Sequence, residues 1–155
     1  HRRNLGTVML KPVKEVIPHR EPFLFLDEVL DLTETKIVGK RLVRGDEPQF
    51  LGHYPGQPVM PGVLLCEAVL QAGAYLIATN IGYVVGQAGV PVVSRLNNVK
   101  FKRMVKPGDV LELTAQHERT MMGAHVMKGS VKVDGKVACT LDFIVMLAEE
   151  QPEAT

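Results

Sequence analysis

The chain has no tryptophan and only eight aromatic residues, five Phe and three Tyr, among its 155 residues. So few rings give few platforms for stacked bases. With 18 Lys and Arg against 17 Asp and Glu, the formal net charge of +1 also gives no bulk attraction for polyanions. Nucleic acid is therefore not an expected partner. Cysteine is equally scarce: Cys66 and Cys139 have neither paired spacing nor neighbouring histidines, so they carry no metal signature and read as reduced core thiols. The basic N-terminus lacks an apolar signal segment. The most apolar run is interrupted by Glu67 and Gln71 before it reaches the ~20 residues that a membrane span needs. The expectation is a soluble, cytoplasmic protein with no membrane span. There is no internal repeat or low-complexity tract, and 155 residues suit a single domain, 1–155, with residues 1–10 as a loose tail.

What the chain does have is concentrated between Leu51 and Ala78. Pro61 and Gly62 open a run, Val63 to Ala78, that suits a helix, and apolar groups point almost everywhere around its axis, so it must be buried on nearly all sides. Its strongly polar side chains are Glu67 and Gln71, one turn apart on one face. A carboxylate in an apolar wall stays protonated, finds a partner, or lines a functional cavity.

Around this helix the pattern is extended. Phe23 to Leu32 and Lys36 to Arg44 form a hairpin across Thr33-Glu34-Thr35, and Val92–Val105, Val110–Glu118, Ala124–Val133 and Lys136–Leu147 follow the helix as four further strands. Asp134-Gly135 is a two-residue hairpin turn. Lys11 to Arg20 holds one short helical turn, and Gly45 to Pro58, rich in proline, reads as an ordered irregular loop. About six antiparallel strands and one all-apolar helix have one economical arrangement, an α+β fold whose curved sheet wraps the helix.

Four separated segments carry a family resemblance: Ile17-Pro-His-Arg-Glu-Pro-Phe-Leu24, Gly52-His-Tyr-Pro-Gly56, Pro58-Val-Met-Pro-Gly-Val63 with Glu67 and Gln71, and Phe101-Lys-Arg-x-Val-x-Pro-Gly-Asp109. In order and spacing they resemble the FabZ-type 3-hydroxyacyl-acyl-carrier-protein dehydratases, from about Val16 to Leu147. FabA-type isomerase-dehydratases place aspartate where this chain has Glu67, which favours the FabZ type. The resemblance implies the hot-dog fold and dehydration of 3-hydroxyacyl chains, without metal or redox cofactor. It also implies a homodimer, within a trimer of dimers, in which His53 and Glu67 come from opposite subunits. The implied partner is acyl carrier protein bearing a phosphopantetheine-linked substrate.

The chemistry asks for three groups. A base must take the C2 proton, an acid must protonate the departing C3 hydroxyl, and a donor must hold the thioester oxygen. His53 suits the base and Glu67, with a raised pKa, the acid. The free N–H of Gly62 at the helix start suits the oxygen, with Val63 and Gln71 as further substrate-binding residues. Taken singly, a histidine before a helix is more often structural, and Glu67 equally fits a buried ion pair. The alternatives to a dehydratase are a hot-dog acyl thioesterase and a non-catalytic acyl-binding module.

Lys100, Lys102, Arg103 and Lys106 read first as a solvated sheet face. The resemblance makes Arg103 and Lys106 candidates for steering an acidic carrier protein. His19-Arg20 is expected to pair structurally near the site or dimer, His117 and His125 to be ordinary sheet residues, and Met121 and Met122 to fill turn and core. Where many family members have an aromatic-Ala-Gly-Ile-Asp run, this chain has Val93-Ser-Arg-Leu-Asn97, and Tyr54 replaces the usual phenylalanine. Acyl chain-length preference is thereby left open.

Overall fold

The computed structural model describes residues 10–148. The elements run α1 (Val13–Val16), β1 (Glu28–Leu32), β2 (Lys36–Leu42), a 3-10 turn (Pro48–Leu51), α2 (Gly62–Ile81), β3 (Pro91–Phe101), β4 (Val110–Met121), β5 (Ala124–Val133) and β6 (Lys136–Leu147). One six-stranded sheet has the order β1-β2-β4-β5-β6-β3 with every pair antiparallel. It curves around α2, the hot-dog arrangement expected from one all-apolar helix and half-apolar strands. The expected loose tail falls almost wholly outside the described residues, and Leu10, where the description starts, packs against the core.

Alternation makes the core. Leu111, Leu113 and Ala115 of β4, Met127 and Val131 of β5, and Cys139, Leu141, Phe143 and Val145 of β6 are all buried and share the face toward the helix. The sheet comes close because two glycines allow it. A Cβ on Gly73 would sit 2.9 Å from the Phe143 ring, and one on Gly129 would collide with Val69 and lie 2.7 Å from the Thr114 carbonyl oxygen.

Several boundaries differ from the sequence pattern, each for a tertiary reason. The first strand starts at Glu28, not Phe23, because the Phe23 and Phe25 backbones bond to the Gln71 side chain instead of a neighbouring strand. β3 ends at Phe101, since Val105 accepts a bond from Met60 N at 2.7 Å and draws residues 102–105 across the approach loop. α2 runs to Ile81, where Gly82 takes the left-handed cap (φ 71°) and Tyr83 N reaches back to the Ala78 carbonyl. β4 reaches Met121 and closes on β5 through Met122-Gly123, both at positive φ. Met122 is fully exposed and Met121 half exposed, so neither fills core; the side chains stand outside the turn.

At 20 residues α2 is long and apolar enough to cross a membrane, so length does not argue against a span, contrary to the sequence expectation. Burial does: most of α2 lies inside the sheet, as a core helix of a globular protein does. The approach loop is tied down as expected. Arg41, almost wholly buried, pairs with Glu47 and stacks over Phe25 with its guanidinium carbon 4.8 Å from the ring centre, and Glu47 also caps Arg44 N at 2.6 Å.

Candidate active site

His53 sits in the loop between the 3-10 turn and α2, followed by Tyr54 in the left-handed region (φ 53°), an uncommon conformation for a ring-bearing residue. The two rings meet edge to face, centroids 4.7 Å apart. His53 Nδ1 lies 2.7 Å from the Val59 carbonyl oxygen. A carbonyl only accepts, so Nδ1 carries the proton and Nε2 of the neutral ring keeps a bare lone pair. That nitrogen belongs to a side chain lining a cavity of about 670 Å³.

The same cavity is lined by Gly62 and Val63 at the start of α2, by Phe101 at the end of β3, and by Arg103 and Met104 beyond it. Gly62 is the first residue of α2, so its N–H has no acceptor within the helix and carries the positive end of the helix dipole. A Cβ there would lie 2.7 Å from Cε1 of Phe101, so a larger residue would have to push the half-exposed Phe101 ring aside. Val63 is largely exposed beside it. In the sequence Phe101 stands out only as part of a motif, and Met104 carries no signal of its own. Their place at the cavity comes from the crossing of residues 102–105, which strand periodicity does not signal.

Arg103 and Lys106 are exposed, and Lys106 lines a neighbouring cavity of about 410 Å³ that shares Val59 and Met104 with the first. Among the described residues neither cation enters an ion pair.

Glu67 lies farther along α2 and does not line this cavity within one chain. Burial pushes its carboxyl above the ordinary carboxylate value, while the hydrogen bond from Gln71 pulls the other way. Gln71 is completely buried, and its contacts fix which way the amide points. Oε1 accepts from Phe25 N at 2.7 Å, so Nε2 donates to the Phe23 carbonyl at 2.8 Å and to Glu67 Oε2 at 3.0 Å. With both amide protons committed, Gln71 orients Glu67 from behind. His19 Nε2 stands 3.7 Å from Glu67 Oε2, and burial, then the Arg20 charge, hold its imidazole below the usual value. Arg20 itself bonds to the carbonyls of Ile17, His19 and Lys14. His19-Arg20 thus reaches Glu67 from the N-terminal segment.

A family model described as a FabA-like domain matches residues 17–142. The chain belongs to this FabA-like family. It is 39% identical over 131 residues to the 3-hydroxyacyl-[acyl-carrier-protein] dehydratase FabZ of Clostridium perfringens, an alignment covering 84% of this chain and 92% of that protein. Among solved structures, the dehydratase heterocomplex ApeI:P from Xenorhabdus doucetiae superposes with a TM-score of 0.74 at 17% identity, over 91% of this chain and 92% of that one. A hypothetical thioesterase from Streptococcus pneumoniae superposes with a TM-score of 0.61 at 15% identity, over 81% and 88%. At such identities these two likenesses show the fold alone. In this FabA-like chain the acidic position on the central helix is glutamate, and among the described residues no group of three or more His, Cys, Asp or Glu is placed to hold a metal ion.

Proposed function

We propose that this protein dehydrates (3R)-3-hydroxyacyl chains tethered to acyl carrier protein, yielding trans-2-enoyl thioesters and water. The carrying observation is His53, whose Nδ1–H is held by the Val59 carbonyl so that Nε2 is available as a base in a cavity that Gly62 also lines.

In this reading His53 Nε2 takes the C2 proton, and electron density moves onto the thioester oxygen, which the Gly62 N–H stabilises. The C3–O bond then breaks as Glu67 gives its proton to the departing hydroxyl, releasing water. The cycle leaves His53 protonated and Glu67 ionised, and a net proton transfer between them through solvent restores the start. Glu67 is suited to the acid role because burial raises its pKa, and Gln71 keeps the carboxyl aimed.

Since Glu67 is off the cavity that His53 lines, the reading joins His53 of one chain to Glu67 of a second. Two features support a homodimer. Among the described residues β3 is an edge strand with one side unpaired, and Val92, Val93, Leu96 and Phe101 on it are exposed apolar residues, a combination that invites pairing with another copy. Further assembly to a trimer of dimers rests on the family resemblance. The exposed Arg103 and Lys106 beside the cavity suit an acidic carrier protein, and the phosphopantetheine arm would enter past Val59 and Met104.

The test is a spectrophotometric assay with short and long 3-hydroxyacyl carrier substrates. Absorbance of the conjugated enoyl thioester is the expected result. Release of free acid and thiol would make the protein a thioesterase, and binding without either product would make it an acyl-binding module; each outcome overturns the dehydratase reading.

A further inference from the structure

Away from His53, one cluster at the turn end of the β4–β5 hairpin has its donors arranged as metal ligands are. Between His117 and Arg119 the ladder carries a bulge, with His117 opposite Met127 and Thr120 opposite His125. In an unbroken strand residues 117 and 120 would face opposite ways. The extra residue at Glu118 turns both to the face shared by His125 and Met127. His117 Nε2 and His125 Nδ1 then lie 3.3 Å apart, and Thr120 Oγ1 is 3.0 Å from the first and 3.3 Å from the second. The rings are tilted by 58°. Neighbouring charges are occupied elsewhere: Glu118 pairs with Lys128 at 3.5 Å, and Arg119, opposite Val126 on the other face, donates to the Met121 sulfur at 3.1 Å.

We propose that His117 and His125, with Thr120 beside them, form a two-imidazole site for a tetrahedral divalent metal of the Zn²⁺ class. Two Zn–N bonds of about 2.0–2.1 Å, opening at the tetrahedral angle, place their nitrogens about 3.3 Å apart, which is the separation found. Each proton in this triangle can aim at one neighbour only, whereas one cation at its apex takes a lone pair from every corner. Imidazole is a donor suited to zinc, and the remaining positions are left to water, with the Thr120 hydroxyl as a weak ligand or as a hydrogen-bond partner of that water. Neither histidine lines the His53 cavity, so this is a separate site whose effect is to pin the end of the hairpin across its exposed Met122-Gly123 turn. The two ligands are eight residues apart and brought together by a bulge, which is why no ligand spacing stands out in the sequence.

Calorimetric titration of the metal-stripped full chain with ZnCl₂ tests the proposal, with MgCl₂ as the control ion. The expected result is saturable binding of one Zn²⁺ per chain, absent with Mg²⁺, and weakened at least ~10-fold in both His117→Asn and His125→Asn, the usual cost of disturbing a ligand set. His53→Asn should bind Zn²⁺ like the parent. Circular dichroism and melting in EDTA establish that the variants fold. Should either fail to, imidazole NMR of the unmodified protein replaces it: Zn²⁺ must shift the His117 and His125 resonances and spare those of His53. No saturable binding up to ~1 mM, the weak end of specific affinity, undiminished binding in both variants, or shifts confined to His53 would overturn it.

Discussion

The two halves of α2 are made of similar residues and have different surroundings. From Gln71 to Ala78 every residue is buried, and Gly73 lets Phe143 press against the backbone. From Gly62 to Leu70, by contrast, Val63, Leu64, Glu67 and Leu70 remain partly or largely uncovered. Val63, Glu67 and Leu70 follow the i, i+4, i+7 spacing of one helical stripe. A uniformly apolar helix should be covered all round, so the partly uncovered stripe is the departure, and it runs along the half that carries Glu67 and begins at the cavity. The buried half holds the fold together. The partly uncovered half is where the proposed chemistry and the proposed second copy meet.

Breaking the comparison most severely means placing a charge in each half. Ala72→Asp buries an unpaired carboxylate and should cost several kcal/mol, enough to unfold a domain of ordinary stability. Val63→Asp, in the largely exposed position, should leave a folded chain that loses its dimer and its turnover. Circular dichroism and analytical ultracentrifugation separate the two outcomes, and equal unfolding by both would dissolve the distinction between the halves.

Next in size is the proton role of Glu67. Glu67→Gln keeps shape and hydrogen bonding, and turnover should fall by about 10²-fold or more with KM little changed, the usual worth of a positioned acid. Mixing Glu67→Gln with His53→Ala under subunit exchange should restore part of the activity. A mixture as inactive as its parents, with exchange demonstrated by mass spectrometry, would place each site within one chain.

A smaller effect concerns stability. Burial raises the Glu67 pKa above 4.5, so the folded state holds a proton that the unfolded chain releases. The associated stability is present in full below the unfolded value and is lost as pH rises through the folded one. Denaturant unfolding of the parent should therefore weaken relative to Glu67→Gln as pH rises across that window, by about 1.4 kcal/mol for each pKa unit of displacement. A pH-independent difference would mean that the Glu67 carboxyl titrates normally.

Smallest of all, the double change Arg103→Ala with Lys106→Ala should raise KM for carrier-bound substrate several-fold at low salt and leave a pantetheine thioester unaffected, since exposed cations steer encounter more than they hold. Equal effects on both substrates would assign them to the arm instead of the carrier protein.

How much of this was legible in the chain varies by element. Hydrophobic period two gave β5 and β6 at their observed bounds and β4 from its start to Glu118, where alternate residues are buried; β4 runs on to Met121 through residues that are all exposed and carry no such signal. For β3 it placed the start within one residue but ran past the observed end at Phe101, because Val92 to Asn98 are exposed on both faces and no change in burial marks where the strand stops. Glu67 and Gln71 were readable as partners from their spacing, yet that Gln71 also holds Phe23 and Phe25 was not, since those residues are nearly fifty positions away.

The sequence by itself determined the helix, the strand periods, the turn at Asp134-Gly135 and the residue types able to exchange protons, because these depend on local conformation and on side-chain chemistry. Only the tertiary structure decided which nitrogen of His53 is bare, how Gln71 aims Glu67, and that Phe101 closes on Gly62. It also decided that one stripe of the Glu67 half of α2 stays partly uncovered. Those outcomes depend on which backbone atoms arrive beside a given side chain, and that follows from the path of the whole sheet around the helix.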